Sequence, residues 1–207
     1  MALFITLEGG EGAGKSTQAQ RLAARLRAEG HATVATREPG GSTGGEAIRA
    51  LLVTGEPDRW SATTETLLMY AARFDHIERI IAPALARREV VLCDRFADST
   101  RAYQGAGGGA SLALIDALEA ETRALCWPDL TLIFDLPPAA GLGRASSRAG
   151  AETRFEGKGL AFHERLRSAF LAIAEAEPAR CRLIDATQDE DTVEATIWQA
   201  VRERMNP

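Results

Sequence analysis

The sequence predicts an α/β fold in which a five-stranded parallel sheet is covered by helices on both faces. Three observations carry this prediction. Apolar runs of strand length alternate with helical patterns along the chain, the order that builds βαβ units. Each run ends on a charged residue, namely Glu8, Arg37, Asp94, Asp135 and Asp185, and ligands of such sheets sit beyond the carboxyl ends of the strands. The first run opens directly into a glycine-rich loop and then a helix-forming stretch.

Leu3 to Glu8 is the first strand. The loop Gly9-Gly10-Glu11-Gly12-Ala13-Gly14-Lys15-Ser16-Thr17 follows as a G-x-x-x-x-G-K-S pattern, so the fold is P-loop NTPase-like. Its glycines let backbone N–H groups wrap phosphate oxygens, and the following helix adds its positive end. Lys15 can reach the β/γ-phosphates and the Ser16 hydroxyl can hold Mg²⁺. Lys15 and Lys158 are the only lysines among 24 lysines and arginines, so a lysine in the loop is not a default of composition.

Gln18 to Arg27 carries apolar residues at helical spacing, and Gly30 can stop that helix. His31 to Arg37 reads as the second strand, followed by the loop Glu38 to Gly44 and a short helix over Glu46 to Leu52. Thr63 to Arg79 is a long helical pattern, with Pro83 starting a new turn or kinking the old one. Val90 to Cys93 is a buried strand ending at Asp94. Ser111 to Leu125 is a helix with Ser111 as a candidate N-cap. Leu130 to Phe134 and Arg182 to Ile184 are the remaining strands, and Thr192 to Arg204 is the last helix. Residues 105 to 109 read as a flexible turn. Residues 141 to 159 hold arginines, glycines and little core-forming material, and read in part as an arginine-containing lid.

At 207 residues and 45% apolar content the chain suits a single domain with a small mobile insertion. A net charge of −5 gives no support for a nucleic-acid or anionic-membrane partner. Cys93, Cys126 and Cys181 are isolated, as expected for buried free thiols in a reducing compartment. Without a signal peptide or a membrane-spanning apolar run, a soluble cytoplasmic protein is expected. His31, His76 and His163 lack metal-ligand spacing and read as surface or helix residues.

The second chemical feature is Asp94-Arg95-Phe96, placed just after a strand. Asp94 can join Ser16 in the Mg²⁺ environment, and the Arg95 fork can bind an anion bidentately. A regulatory P-loop switch is the competing class, but no Asn-Lys-x-Asp or Asp-x-x-Gly element is present.

Taken together, the chain resembles the bacterial thymidylate kinases. The matching pieces are Glu8 to Thr17, Arg37-Glu38-Pro39-Gly40-Gly41, Tyr70-Ala71-Ala72-Arg73, Asp94-Arg95-Phe96 with Ser99-Thr100 and Ala102-Tyr103-Gln104-Gly105, and Arg154-Phe155-Glu156. The resemblance implies ATP:dTMP phosphotransfer, Mg²⁺ with ATP, a homodimer packed through helices, and no nucleic-acid or membrane partner. Residues 9 to 17 would hold the ATP phosphates. Because Gly12 stands where some members carry an arginine, the lid would supply the catalytic cation. Arg148 and Arg154 are the favoured residues, with Arg144 near adenine or anchoring the lid. Arg95 and Arg49 would clamp the dTMP phosphate with Arg37 close by, and Glu11 would lie near the 3′-hydroxyl. Arg73 would donate to a thymine carbonyl, Thr100 and Gln104 would read the remaining polar edge, and Tyr103 would pack against the sugar. The usual stacking phenylalanine is replaced by Met69, whose thioether makes a looser contact with a ring. Another acceptor nucleotide on the same scaffold is the nearest alternative.

Overall fold

The computed structural model describes residues 1–56, 58–146, 154–155 and 157–205. Among these residues five strands form one parallel sheet: β1 (Leu3–Gly9), β2 (Thr33–Arg37), β3 (Val90–Asp94), β4 (Leu130–Asp135) and β5 (Cys181–Asp185), in the spatial order β2-β3-β1-β4-β5. The expected fold class is borne out.

Alternation along β1 shows how the sheet is covered and how the site is aimed. Leu3, Ile5 and Leu7 point to one face, where they pack with Leu22 and Leu26 of α1 (Lys15–Ala28) and Ile197 and Val201 of α9 (Glu190–Met205). Phe4 points to the other face and joins Val91, Cys93, Phe96, Ile77 and Ile81. On that side Ile133 also packs with Phe162, Leu166 and Phe170 of α8 (Leu160–Ala176). Two residues beyond Phe4, the Thr6 and Thr131 hydroxyls pair at 2.8 Å. Two further on, the Glu8 carboxylate faces the Asp-Arg-Phe turn. Period-2 geometry therefore places an acid at the site from the same strand that builds the core.

The helices follow from their ends. α1 stops where the His31 N–H reaches Leu26 O and the Gly30 N–H reaches Arg27 O, with Gly30 at φ 86°, the paired closure that a left-handed glycine permits. α2 (Thr43–Val53) begins earlier than its apolar pattern suggests, because the Ser42 hydroxyl caps it by accepting from the Gly45 N–H at 3.0 Å. α3 (Ala62–His76) is shorter than the predicted segment. It runs into a π-turn over Ile77–Ile81, and Pro83 lies in the first turn of α4 (Ala82–Ala86). Proline has no N–H for the carbonyl four residues back, and the wider turn immediately before it shifts the hydrogen-bond register, with the Ala82 N–H reaching Ile77 O.

Ser111 precedes α6 (Leu112–Leu125) as expected, but its side chain makes no capping bond. Residues 105 to 109 are not a free turn. Arg101–Gly107 is a π-helical segment continuing α5 (Ala97–Thr100), and Gly105 is buried. α7 (Pro138–Ser146) occupies the start of the predicted lid, and α8 lies beyond it. No helix among the described residues is long and apolar enough to cross a membrane, and the three cysteines are free and buried.

Candidate active site

Register brings the charged strand ends to one edge. Asp94 lies opposite Leu7 on one side and Arg37 on the other. A cavity of about 430 Å³ opens beyond this edge, between the phosphate loop, the segment after β2, α3 and the turn after β3. All the dTMP-side candidates line it: Glu11, Arg37, Arg49, Met69, Arg73, Arg95, Thr100, Tyr103 and Gln104. Gly12 to Thr17, Glu38, Pro39, Val53, Asp94, Phe96, Ser99 and Phe155 complete the wall.

At the loop, Gly12 has φ 67°, and a Cβ there would overlap the carbonyl oxygen of Gly141. The positive φ disfavours an L side chain and the overlap bars one unless Gly141 shifts, so the loop of this chain presents no cation at this position. The Lys15 ammonium is buried and donates to Gly10 O at 2.6 Å. Burial, aided by the Arg95 charge, lowers its pKa to about 8, and Glu11, Asp94 and Glu8 oppose the shift. Ser16 Oγ donates to Asp94 Oδ2 at 2.6 Å, while Asp94 Oδ1 is buried with no protein hydrogen bond among the described residues. A hydroxyl beside a carboxylate with a spare buried oxygen is an all-oxygen donor set of the kind that suits Mg²⁺.

Arg95 stands at φ 72°, a strained conformation for a residue with a Cβ. It is fixed from several directions. Its Nη1 donates to Gly9 O at 2.9 Å, its Nη2 donates to Glu11 Oε1 at 3.0 Å, and its backbone N–H donates to Leu7 O at 2.9 Å. Glu8 secures the next residues, accepting from the Phe96 N–H at 2.7 Å and from Ser99 Oγ at 2.5 Å. Burial and the neighbouring Asp98 charge push the Glu8 carboxyl well above the usual carboxylate range. Glu11 goes the other way: burial would raise it, but Arg95, Lys15 and a 2.8 Å bond from the Tyr103 hydroxyl carry it down to about 2. The Tyr103 ring is in turn packed by Phe155, Phe162 and Phe170.

On the far wall Arg73 is buried, donating from Nε to Glu38 at 2.8 Å and from Nη2 to Thr100 Oγ1 at 3.0 Å. Met69 lies one helical turn earlier and lines the cavity, half-buried, whereas Tyr70 is buried in the core beside Phe74. Gln104 donates to Glu65 at 2.8 Å. Arg49 donates to Pro39 O at 2.8 Å, and Arg37 pairs with Glu46 at 3.1 Å on the exposed rim.

The lid candidates divide. Arg148 lies outside the described residues. Arg144 Nη1 reaches Ala186 O just after β5, at 3.4 Å, which fits an anchor. Arg154 is placed differently from the expectation. It is buried and bonds Glu65 at 2.5 Å and the carbonyls of Leu52 and Glu56, so its guanidinium belongs to the α2–α3 wall rather than to the phosphate loop. The physical reason is Glu65, a buried acid that sequence reading overlooked. His76, read as a surface or helix residue, is a fully buried helix residue held by Glu38 and Thr36. Glu38 and Glu65 had a signal only in position: each is an acid inside or close to a matched segment, with nothing local to mark it as buried.

The thymidylate kinase family model matches residues 7–197. A thymidylate kinase of Caulobacter vibrioides is 64% identical over 202 residues, covering 98% of this chain and 97% of its own length. One from Ruegeria pomeroyi is 52% identical over 204 residues, covering 99% and 96%. The crystal structure of a thymidylate kinase from Ehrlichia chaffeensis superposes with a TM-score of 0.76 at 33% identity, covering 97% of this chain and 98% of that one. With the phosphate loop, the Asp-Arg-Phe turn and the arginine-lined cavity at one sheet edge, these matches show that the chain belongs to the thymidylate kinase family, enzymes that use ATP to convert dTMP to dTDP.

Proposed function

We propose that this chain performs its family's transfer of the ATP γ-phosphoryl to dTMP with both nucleotides meeting between Lys15 and Arg95. The observation that carries this reading is the Arg95–Glu11 contact, which joins the phosphate loop to the acceptor cavity. An acceptor phosphate oxygen attacks the γ-phosphorus, the bond to the β–γ bridging oxygen breaks, and ADP leaves with that electron pair. Little covalent work falls to the protein, so positioning and charge neutralisation dominate. Lys15 and the loop amides hold the transferring phosphates. Arg95 and Arg49 hold the acceptor phosphate, Arg37 reinforces them from the rim, and Glu11 keeps Arg95 aimed. Arg73, Thr100 and Gln104 form the polar edge for the base, Met69 supplies its apolar contact, and Tyr103 packs against the sugar.

Ser16 and Asp94 would hold Mg²⁺, which supplies charge neutralisation at the β/γ oxygens. The absence of a side chain at Gly12 supports a cation arriving from residues 141–159. Arg154 could reach the phosphates only by leaving Glu65, so Arg148 is the residue to test first. Assembly as a homodimer through helices would cover exposed Leu51 on α2 and Leu67 on α3, and buried free thiols support a cytoplasmic setting. An acceptor panel tests the reading: ADP release from ATP should require dTMP or its close analogue dUMP. Equal turnover with AMP, CMP or GMP would overturn it.

A further inference from the structure

The base-recognition arginine is not held by the cavity wall alone. Arg73 is 2% exposed and keeps Nη1 free of protein hydrogen bonds among the described residues, while Nε and Nη2 are bonded to Glu38 and Thr100. Its guanidinium carbon lies 4.7 Å from the Tyr70 ring centroid and 5.1 Å from that of Phe96. One nitrogen is therefore buried without a protein partner on a residue that lines the cavity, and its direction is set by where Glu38 stands. Glu38 is in turn set by His76. A carboxylate only accepts, so the 3.0 Å contact between His76 Nδ1 and Glu38 Oε1 makes Nδ1 the protonated nitrogen. In the neutral ring Nε2 then accepts from the Thr36 hydroxyl at 2.7 Å. Gly41 lies directly over this second contact, because a Cβ there would overlap both His76 Nε2 and Thr36 Oγ1. His76 thus touches the support of Arg73 on one side and the 38–41 loop on the other. Arg49 grips that same loop at Pro39.

Glu38, His76 and Cys93 also bring three ligand-type atoms within 4.8 Å of one another. Both imidazole nitrogens are already engaged by protein groups, and Glu38 carries Arg73, so the cluster works as a hydrogen-bond relay and not as a metal site.

We propose that His76 is a positioning residue for the acceptor: through Glu38 it aims Arg73 Nη1 at the base, and through Thr36 and Gly41 it seats the loop beside the acceptor phosphate. This inference rests on the reading of Arg73 as the group that recognises the base. Removing the imidazole leaves Glu38 free to turn, so the cost appears in acceptor binding and selectivity and not in the ATP site.

The test compares wild type, His76→Leu, His76→Asn and Arg73→Ala by steady-state kinetics with dTMP and dCMP, with thermal unfolding to confirm that each variant folds. His76→Leu should raise the KM for dTMP by about tenfold or more, the loss expected when a buried hydrogen-bond partner is removed. It should leave the KM for ATP within about twofold and narrow the dTMP-over-dCMP preference. His76→Asn, which keeps a donor near the Nδ1 position, should recover most of the preference. An unchanged dTMP KM in a folded His76→Leu, or equal losses in the KM values of dTMP and ATP, would overturn the positioning role. If Arg73→Ala leaves the dTMP-over-dCMP preference intact, the reading of Arg73 itself fails. If Arg73→Ala lowers that preference and His76→Leu does not, only the inference about His76 fails.

Discussion

Arg95 reaches across the head of the cavity to Glu11, with 3.0 Å between Nη2 and Oε1. One residue comes from the turn after β3 and the other from the phosphate loop. An acid in the middle of a loop built for phosphates would repel them if it stood alone. Paired with Arg95 and the Tyr103 hydroxyl, it becomes the brace that fixes a cation where the two nucleotides meet.

Glu11→Gln should therefore lower kcat/KM for dTMP by about 10- to 100-fold, the range for losing one charged partner of a partly buried pair. Steady-state kinetics measures this, and a change confined to ATP would contradict it. Glu11 also affects acid stability. Its carboxyl sits near 2 in the folded chain, below its ordinary 4.5. The stability it contributes is present above about 4.5 and is lost as pH falls through about 2. Glu11→Gln should accordingly flatten the acid limb of a Tm-against-pH curve.

Lys15 acts in the same direction over a different pH range. A folded pKa of about 8 against an ordinary 10.5 means that nucleotide-free protein holds fewer protons here than the unfolded chain. The stability from this group is present above about 10.5 and lost as pH falls through about 8. ATP phosphates favour the ammonium, so binding at pH 8 should take up about half a proton per site. Calorimetry in two buffers of different ionisation enthalpy reads that number, and Lys15→Arg should abolish the uptake. Equal uptake in both proteins would refute the assignment.

Much of the site was legible because its chemistry is local in sequence. The phosphate loop and the Asp-Arg-Phe turn each carry their residues within a few positions, Arg73 enters through the family resemblance, and period-2 patterning placed the strand ends. What stayed hidden depends on partners far along the chain. Nothing near Glu65 announces that Arg154 and Gln104 will converge on it, and nothing near His76 announces Glu38 and Thr36. Helix boundaries slipped where single residues override periodicity: the Ser42 hydroxyl lengthened α2, and a π-turn precedes Pro83. The long helix α8 follows a glycine- and arginine-rich stretch that carries a lid signal and no helix-start signal of its own.

The Ser16–Asp94 contact should govern the metal requirement. Asp94→Asn keeps the shape but removes the charge beside the hydroxyl. The Mg²⁺ concentration for half-maximal activity should rise by about tenfold or more. An unchanged Mg²⁺ titration would exclude Asp94 from the metal environment.

Arg154 and Glu65 should behave as a structural pair. Both side chains are nearly inaccessible, at 1% and 6% exposure. Removing the arginine alone strands a buried acid, so Arg154→Met should cost about 3 kcal/mol of stability, with Arg154→Met/Glu65→Leu recovering most of it. Urea unfolding provides the comparison, and an additive double variant would show that the pair is not coupled.

The claim at the centre is that one chain holds both nucleotides end to end, with their phosphates between Lys15 and Arg95. Titration calorimetry with a bisubstrate analogue, in which adenosine and thymidine are joined through a pentaphosphate, tests it most directly. The predicted result is one molecule bound per chain, more tightly than ATP or dTMP, competed by either nucleotide and weakened by Arg95→Ala. Two molecules per chain, or an affinity no better than that of ATP alone, would contradict it.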